Sequence, residues 1–152
     1  MNERRSFRAS FVLVAICTLF AATWGAQSAH ANPHNDYMLQ CQGCHMADGS
    51  GAAESVPDLR NRLGLFLGVE DGREFLIRVP GSAQSPLSNH ELAEVLNWMV
   101  RNFGPAEVGA SFAPFTEAEI ERHRKPLADV EPVRTVLMER ITAGKHERVP
   151  SK

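Results

Sequence analysis

The chain has 152 residues and a formal charge of −2, from 16 Lys and Arg against 18 Asp and Glu. That length allows one domain beside an export segment, and the mild acidity argues against nucleic acid as a partner. With three cysteines and six histidines, sulfur and imidazole chemistry is confined to a few positions.

Met1 to Ser10 is polar and basic, with Arg4, Arg5 and Arg8 against Glu3. The apolar run that follows, FVLVAICTLFAATW from Phe11 to Trp24, is shorter than the ~20 residues a membrane-spanning helix needs. Ala29 and Ala31 then offer small side chains where a signal peptidase reads them. Residues 1–31 are therefore expected to be a secretory signal cleaved after Ala31, with an uncleaved anchor as the alternative. ERRSFR, Glu3 to Arg8, faintly resembles a folded-export signal. Cys17 lies inside the apolar run and would be lost with it. Removal of 1–31 leaves 121 residues with 13 basic and 17 acidic side chains, and Cys41 and Cys44 as the remaining cysteines. In an oxidising compartment such a pair should join, bind metal or carry a cofactor.

The first helix is predicted within NPHNDYMLQC, with Asn32 as cap and Pro33 in the first turn. Tyr37, Cys41 and Cys44 fall near one face. ADGSGAAESVPDLRNRLG reads as loop. DGREFLIRV, Asp71 to Val79, reads as a short helix with Asp71 as cap and Phe75, Leu76 and Val79 as its buried side. Pro80-Gly81 is expected to stop it. The clearest helix spans Ser88 to Phe103. Ser88 and Glu91 form a capping box, Leu92, Val95, Leu96, Met99, Val100 and Phe103 recur at helical spacing, and Gly104-Pro105 ends it. Beyond it, Thr116 with Glu119 caps a helix to about Arg124. Pro132 opens another through Ile141, its apolar positions being Val133, Val136, Leu137 and Ile141. GKHERVPSK at the end is expected to be loose.

CQGCH, Cys41 to His45, has the spacing of a c-type haem attachment sequence. Two thiols on one helical turn can each add to a vinyl group on the same porphyrin edge, and the next histidine then lies under the ring. A redox dithiol expects a βαβ setting that is not seen here. A structural zinc needs four ligands. A disulfide leaves His45 without a role.

Over roughly Asp36 to Phe103 the chain resembles the class I monohaem c-type cytochromes. The resemblance is carried by CQGCH, DGSG at Asp48 to Gly51, VPDL at Val56 to Leu59, and LSNHELAEVLNWM at Leu87 to Met99. It implies an all-α fold around one covalently attached haem c, in a domain of residues 32–104 followed by a helical extension, 105–152. By the same resemblance, Cys41 and Cys44 hold the haem and His45 is the proximal iron ligand. Pro57 would press on the imidazole and accept its Nδ1 proton, and Trp98 and Met99 would pack towards the first helix near Tyr37. The family's haem is joined to an unfolded chain outside the cytoplasm, so ERRSFR is expected to act as an ordinary basic segment.

In that family a methionine in the loop before the last helix usually takes the sixth iron position. Here the loop reads VPGSAQSPLS, Val79 to Ser88, without methionine or histidine. Met99 and Met138 are the candidates elsewhere, each with a simpler role in packing. Met38, Met46, Gln84, His90 and His123 are weaker still, and water-bound or five-coordinate iron is the alternative. Arg60, Arg62 and Arg73 are expected either at the haem propionates or in solvent.

The resulting expectation is an electron carrier rather than an enzyme. It would work in the periplasm between a dehydrogenase and a terminal oxidase or another cytochrome, meeting membranes only by transient docking. An open-faced haem that binds a small ligand is one alternative. A cytochrome subunit that uses residues 105–152 as an arm on a dehydrogenase is the other.

Overall fold

The computed structural model describes residues 32–52, 55–106, 108 and 112–147, all within the unit Ala31–Lys152. The expected signal, its cleavage site and Cys17 lie outside the described residues, as do 148–152.

The described elements are helical: α1 (Pro33–Gln40), α2 (Gln42–His45), a 3₁₀ helix (Leu63–Gly68), α3 (Gly72–Arg78), α4 (Pro80–Ala83), α5 (Asn89–Phe103), α6 (Glu117–His123) and α7 (Glu131–Glu147). Among the described residues the one β feature is an isolated bridge between Ala52 and Val56. None of their helices is long and apolar enough to cross a membrane. The expected all-α fold is the observed one.

Helix starts follow the caps. Asn32 accepts from the backbone of His34 and Asn35. Ser88 Oγ accepts from Glu91 N at 3.2 Å while Glu91 Oε2 accepts from Ser88 N at 2.7 Å, a complete capping box. Thr116 accepts from Glu119 N at 3.2 Å. Asp71 departs from expectation. It sits at φ 63°, caps nothing with its side chain, and instead accepts from Arg140 at 3.3 Å. Pro80-Gly81 does not simply end a helix either. The ring's fixed φ suits a first turn, and Pro80 opens α4. The 3₁₀ helix begins inside the stretch read as loop, because LGLFLG lacks both a cap and a full helical period. Within the last stretch, 144–147 continue α7 instead of fraying.

α5 is the centre of the core. Its buried stripe of Leu92, Val95, Leu96, Met99, Val100 and Phe103 is the predicted one, each side chain contributing about 1.5–3 kcal/mol of burial before entropy is subtracted. α1 rests on it through aromatic contacts, with Tyr37 and Trp98 centroids 5.1 Å apart and Tyr37 and Phe103 also 5.1 Å apart. α3 buries Phe75 and Leu76 as expected, and also Ile77, while Val79 is half-buried.

The segment after Pro105 folds back onto this core. Phe115, Ile120, Leu137 and Ile141 are all buried, whereas Val136 is 46% exposed and leaves the apolar set. Polar clamps fix the return. Asn97 exchanges two hydrogen bonds with the Phe115 backbone, and Arg73 makes a two-pronged pair with Glu119 at 2.8 Å on each prong. Leu127 N donates to Arg78 O, laying the chain beside α3 just before α7.

Candidate functional site

The site is built on the turn that joins α1 to α2. α1 breaks at Cys41, where φ is −123°, and the Cys41 carbonyl then accepts from both Cys44 N at 3.2 Å and His45 N at 3.0 Å. This single turn puts the two sulfurs, three residues apart, on one side. They are not bonded to each other; Cys41 is half-buried and Cys44 exposed. Burial, with help from Asp36 and Cys44, pushes the Cys41 thiol up to about 11, so it stays protonated at neutral pH. Tyr37, wholly buried, donates from its hydroxyl to Met46 O at 2.6 Å and so anchors the end of the turn.

Beyond His45 the chain reverses at once, with Met46, Gly49 and Gly51 all at positive φ. Gly51 N donates to His45 O, and the Ala52–Val56 bridge closes the loop so that Pro57 returns over the imidazole. There His45 Nδ1 and Pro57 O stand 3.3 Å apart. A carbonyl can only accept, so Nδ1 carries the proton and Nε2 keeps its lone pair. Burial holds this imidazole below the usual histidine range, the Pro57 bond opposing it in part, which favours the neutral, ligating form.

Gly51 makes this return possible. Its φ is +71°, and a Cβ there would collide with Val56 O and lie 2.7 Å from Pro57 O. Gly51→Ala is expected to destabilise the protein by about 1–3 kcal/mol and to loosen the Pro57 bond. Chemical denaturation of the holoprotein checks this; an unchanged curve would mean that the loop tolerates the side chain.

Cys41, Cys44, His45 and Pro57 all border one cleft of about 280 Å³. Its walls are mainly apolar, with Leu59, Phe66, Phe75, Leu92 and Leu96 among them, and the segment Val79–Ser88 contributes Gly81, Ser82, Ser85 and Leu87. Two thiols on one edge, an imidazole lone pair beside them and an apolar slot match the needs of a covalently held porphyrin. The zinc alternative lacks donors: among the described residues no group of three or more His, Cys, Asp or Glu side chains could hold a metal ion.

The remaining candidates separate cleanly. Met99 and Met138 border the cleft; Met38, Met46, Gln84 and His90 do not. His123 is paired with Glu74 at 3.2 Å. Of the arginines, Arg60 is spent on Asp48 and Asp58, and Arg73 on Glu119, leaving Arg62 at the cleft. Arg134 also borders the cleft and was not anticipated. Its spacing from Val130 and Met138, four residues on either side, was the available signal.

No family model and no solved structure matches the chain. Two curated relatives do, both named cytochrome c-552, one from Thermus thermophilus and the other from a particular strain of that species. Each is 32% identical over 103 residues, covering 56% of this chain and 79% and 70% of the respective relative. Identity at this level over most of a relative's length, in a helical chain that brings its CQGCH turn to an apolar cleft, places this protein in the c-type cytochromes, the family to which it belongs.

Proposed function

We propose that the chain is a class I monohaem cytochrome that carries single electrons in the periplasm, from a dehydrogenase towards a terminal oxidase or another cytochrome. Cys41 and Cys44 hold its one haem c by thioethers, and His45 Nε2 binds the iron. The haem, when bound, supplies a one-electron couple. The protein's part is to tune that couple and to present its edge. The Pro57 carbonyl fixes the tautomer and orientation of His45 and raises its basicity as a ligand. The apolar cleft walls exclude water and lower the local dielectric, which favours the less charged, reduced centre.

The observation that carries the reading is the surface around the attachment turn. Leu39 is 77% exposed, Met38 48% and Met46 42%, and Cys44 is itself exposed. Three large apolar side chains left in water beside the cofactor's attachment edge suit brief docking to a redox protein over a small interface. Membrane contact would then be made only through such docking.

In the exported holoprotein, colour should survive acid acetone, and electron exchange with a partner cytochrome should be fast. Leu39→Glu should slow exchange roughly tenfold, equivalent to about 1.4 kcal/mol of docking energy, with the spectrum unchanged. Exchange indifferent to Leu39, Met38 and Met46 would move the docking site elsewhere. Pigment that washes out would end the haem reading altogether.

A further inference from the structure

We propose that Met138, on the C-terminal helix α7, supplies the sulfur ligand to the face of the iron opposite His45. This rests on the assignment of Cys41, Cys44 and His45 above. It places the ligand far along the chain from the loop before α5, where the resemblance would look for it.

That loop is ruled out by composition and by its fastening. It borders the cleft through Val79, Gly81, Ser82, Ser85 and Leu87, and holds no thioether, imidazole or amine. Arg124 pins it from outside: Nε donates to Ala83 O at 3.1 Å, one terminal nitrogen to Leu87 O at 2.7 Å, and the other to Ser85 O at 2.6 Å and Ser85 Oγ at 3.1 Å. Ser85 Oγ also donates to Ser82 O at 2.9 Å, so its hydroxyl is already committed.

Among the described residues that border the cleft, the side chains outside CQGCH with a nitrogen or sulfur suited to haem iron are Met99 and Met138. They belong to different walls. Met99 is on α5, which packs against α1, the helix that leads into the attachment turn. It is 7% exposed and sits one turn beyond Val95 and Leu96 in the central core stripe. α7 packs on the 3₁₀ helix, as α5 also does, and on α3. Its rotation is set by Leu137 and Ile141, buried in the core, and by Arg140, which donates to Glu70 O and Asp71 Oδ2 at 3.3 Å. With that rotation, Val130, Arg134 and Met138 form a stripe at four-residue spacing along the cleft. Met138 is unbranched and only partly buried, so its thioether can adjust its reach without moving the helix.

Coordination forms one iron–sulfur bond and moves no proton, and it closes the site to small ligands while favouring the reduced iron. In the full-length holoprotein, the wild type should be low-spin, show the weak far-red band of a thioether-bound ferric haem, and resist carbon monoxide when reduced. Met138→Leu should lose the band, become high-spin and bind carbon monoxide rapidly; Met99→Leu should keep the band. Met138→His should give a bis-imidazole spectrum, which arises only if residue 138 reaches the iron and so tests the idea even if the leucine variant folds poorly. A wild type that already binds carbon monoxide freely, or a band that survives Met138→Leu, overturns the proposal while covalent colour remains. Loss of covalent colour in the wild type would instead sink the underlying haem assignment.

Discussion

Cys41→Ala combined with Cys44→Ala is expected to yield a chain that carries no covalent haem and does not fold stably. Without its occupant, the apolar cleft of about 280 Å³ is a defect in the centre of a small core. At ~24 cal/mol per Å³, an empty space of that size corresponds to about 7 kcal/mol, an upper figure because water enters its mouth. The whole net stability of a domain is roughly 5–15 kcal/mol, so the defect is comparable with everything that holds the fold. Each single variant keeps one sulfur and should retain covalent colour at reduced yield. The half-buried Cys41 is expected to matter more for stability than the exposed Cys44. Mass measurement after acid acetone decides the attachment, and far-ultraviolet circular dichroism decides the folding. A double variant that still carried the mass of a haem would show that the cofactor is held by something other than these two thiols.

The largest effect away from the cofactor is expected at Asn97. This amide is 2% exposed and stands on the apolar stripe of α5, a position where an unpartnered polar side chain would be costly. Both its ends are used. Oδ1 accepts from Phe115 N at 2.6 Å and Nδ2 donates to Phe115 O at 3.0 Å, so that Asn97 satisfies a backbone unit that no helix or strand reaches. The Phe115 ring is in turn buried beneath the Arg73 guanidinium, 4.1 Å from the ring centroid. Asn97→Leu keeps the volume and leaves a buried N–H and a buried C=O without partners, about 1–3 kcal/mol each. Denaturant titration of the holoprotein should show a loss of about 2–5 kcal/mol, with faster proteolysis between 105 and 125. A change below about 0.5 kcal/mol, the level of an ordinary surface substitution, would mean that the return of the chain onto the core does not depend on this clamp.

The same clamp bears on the role of the C-terminal segment. Amphipathic helices after Pro105 suit an arm that reaches for another protein as well as a tail that folds home, because periodicity identifies an apolar face and not its partner. Phe115, Ile120, Leu137 and Ile141 have that face inside their own domain, and Arg73 with Glu119 and Arg124 with the Ala83–Leu87 carbonyls hold it there. The segment thus helps to shape the cleft.

What the sequence by itself determined was local. The CQGCH turn, the Asn32, Ser88 and Thr116 caps and the stripe of α5 each depend on residues within a turn or two, so spacing alone exposes them. The Pro57 contact was reachable only through resemblance, since it needs a reversal through three positive-φ residues that spacing does not reveal. The tertiary structure alone decided the rest: that Asn97 serves Phe115, 18 residues on, that Arg124 ties down Ser85, 39 residues back, and that Arg134 and Met138 face the cleft. Those pairings follow from how the C-terminal helices pack back on the 3₁₀ helix, α3 and α5, and a one-dimensional pattern records which side of a helix is apolar but not which wall it will meet.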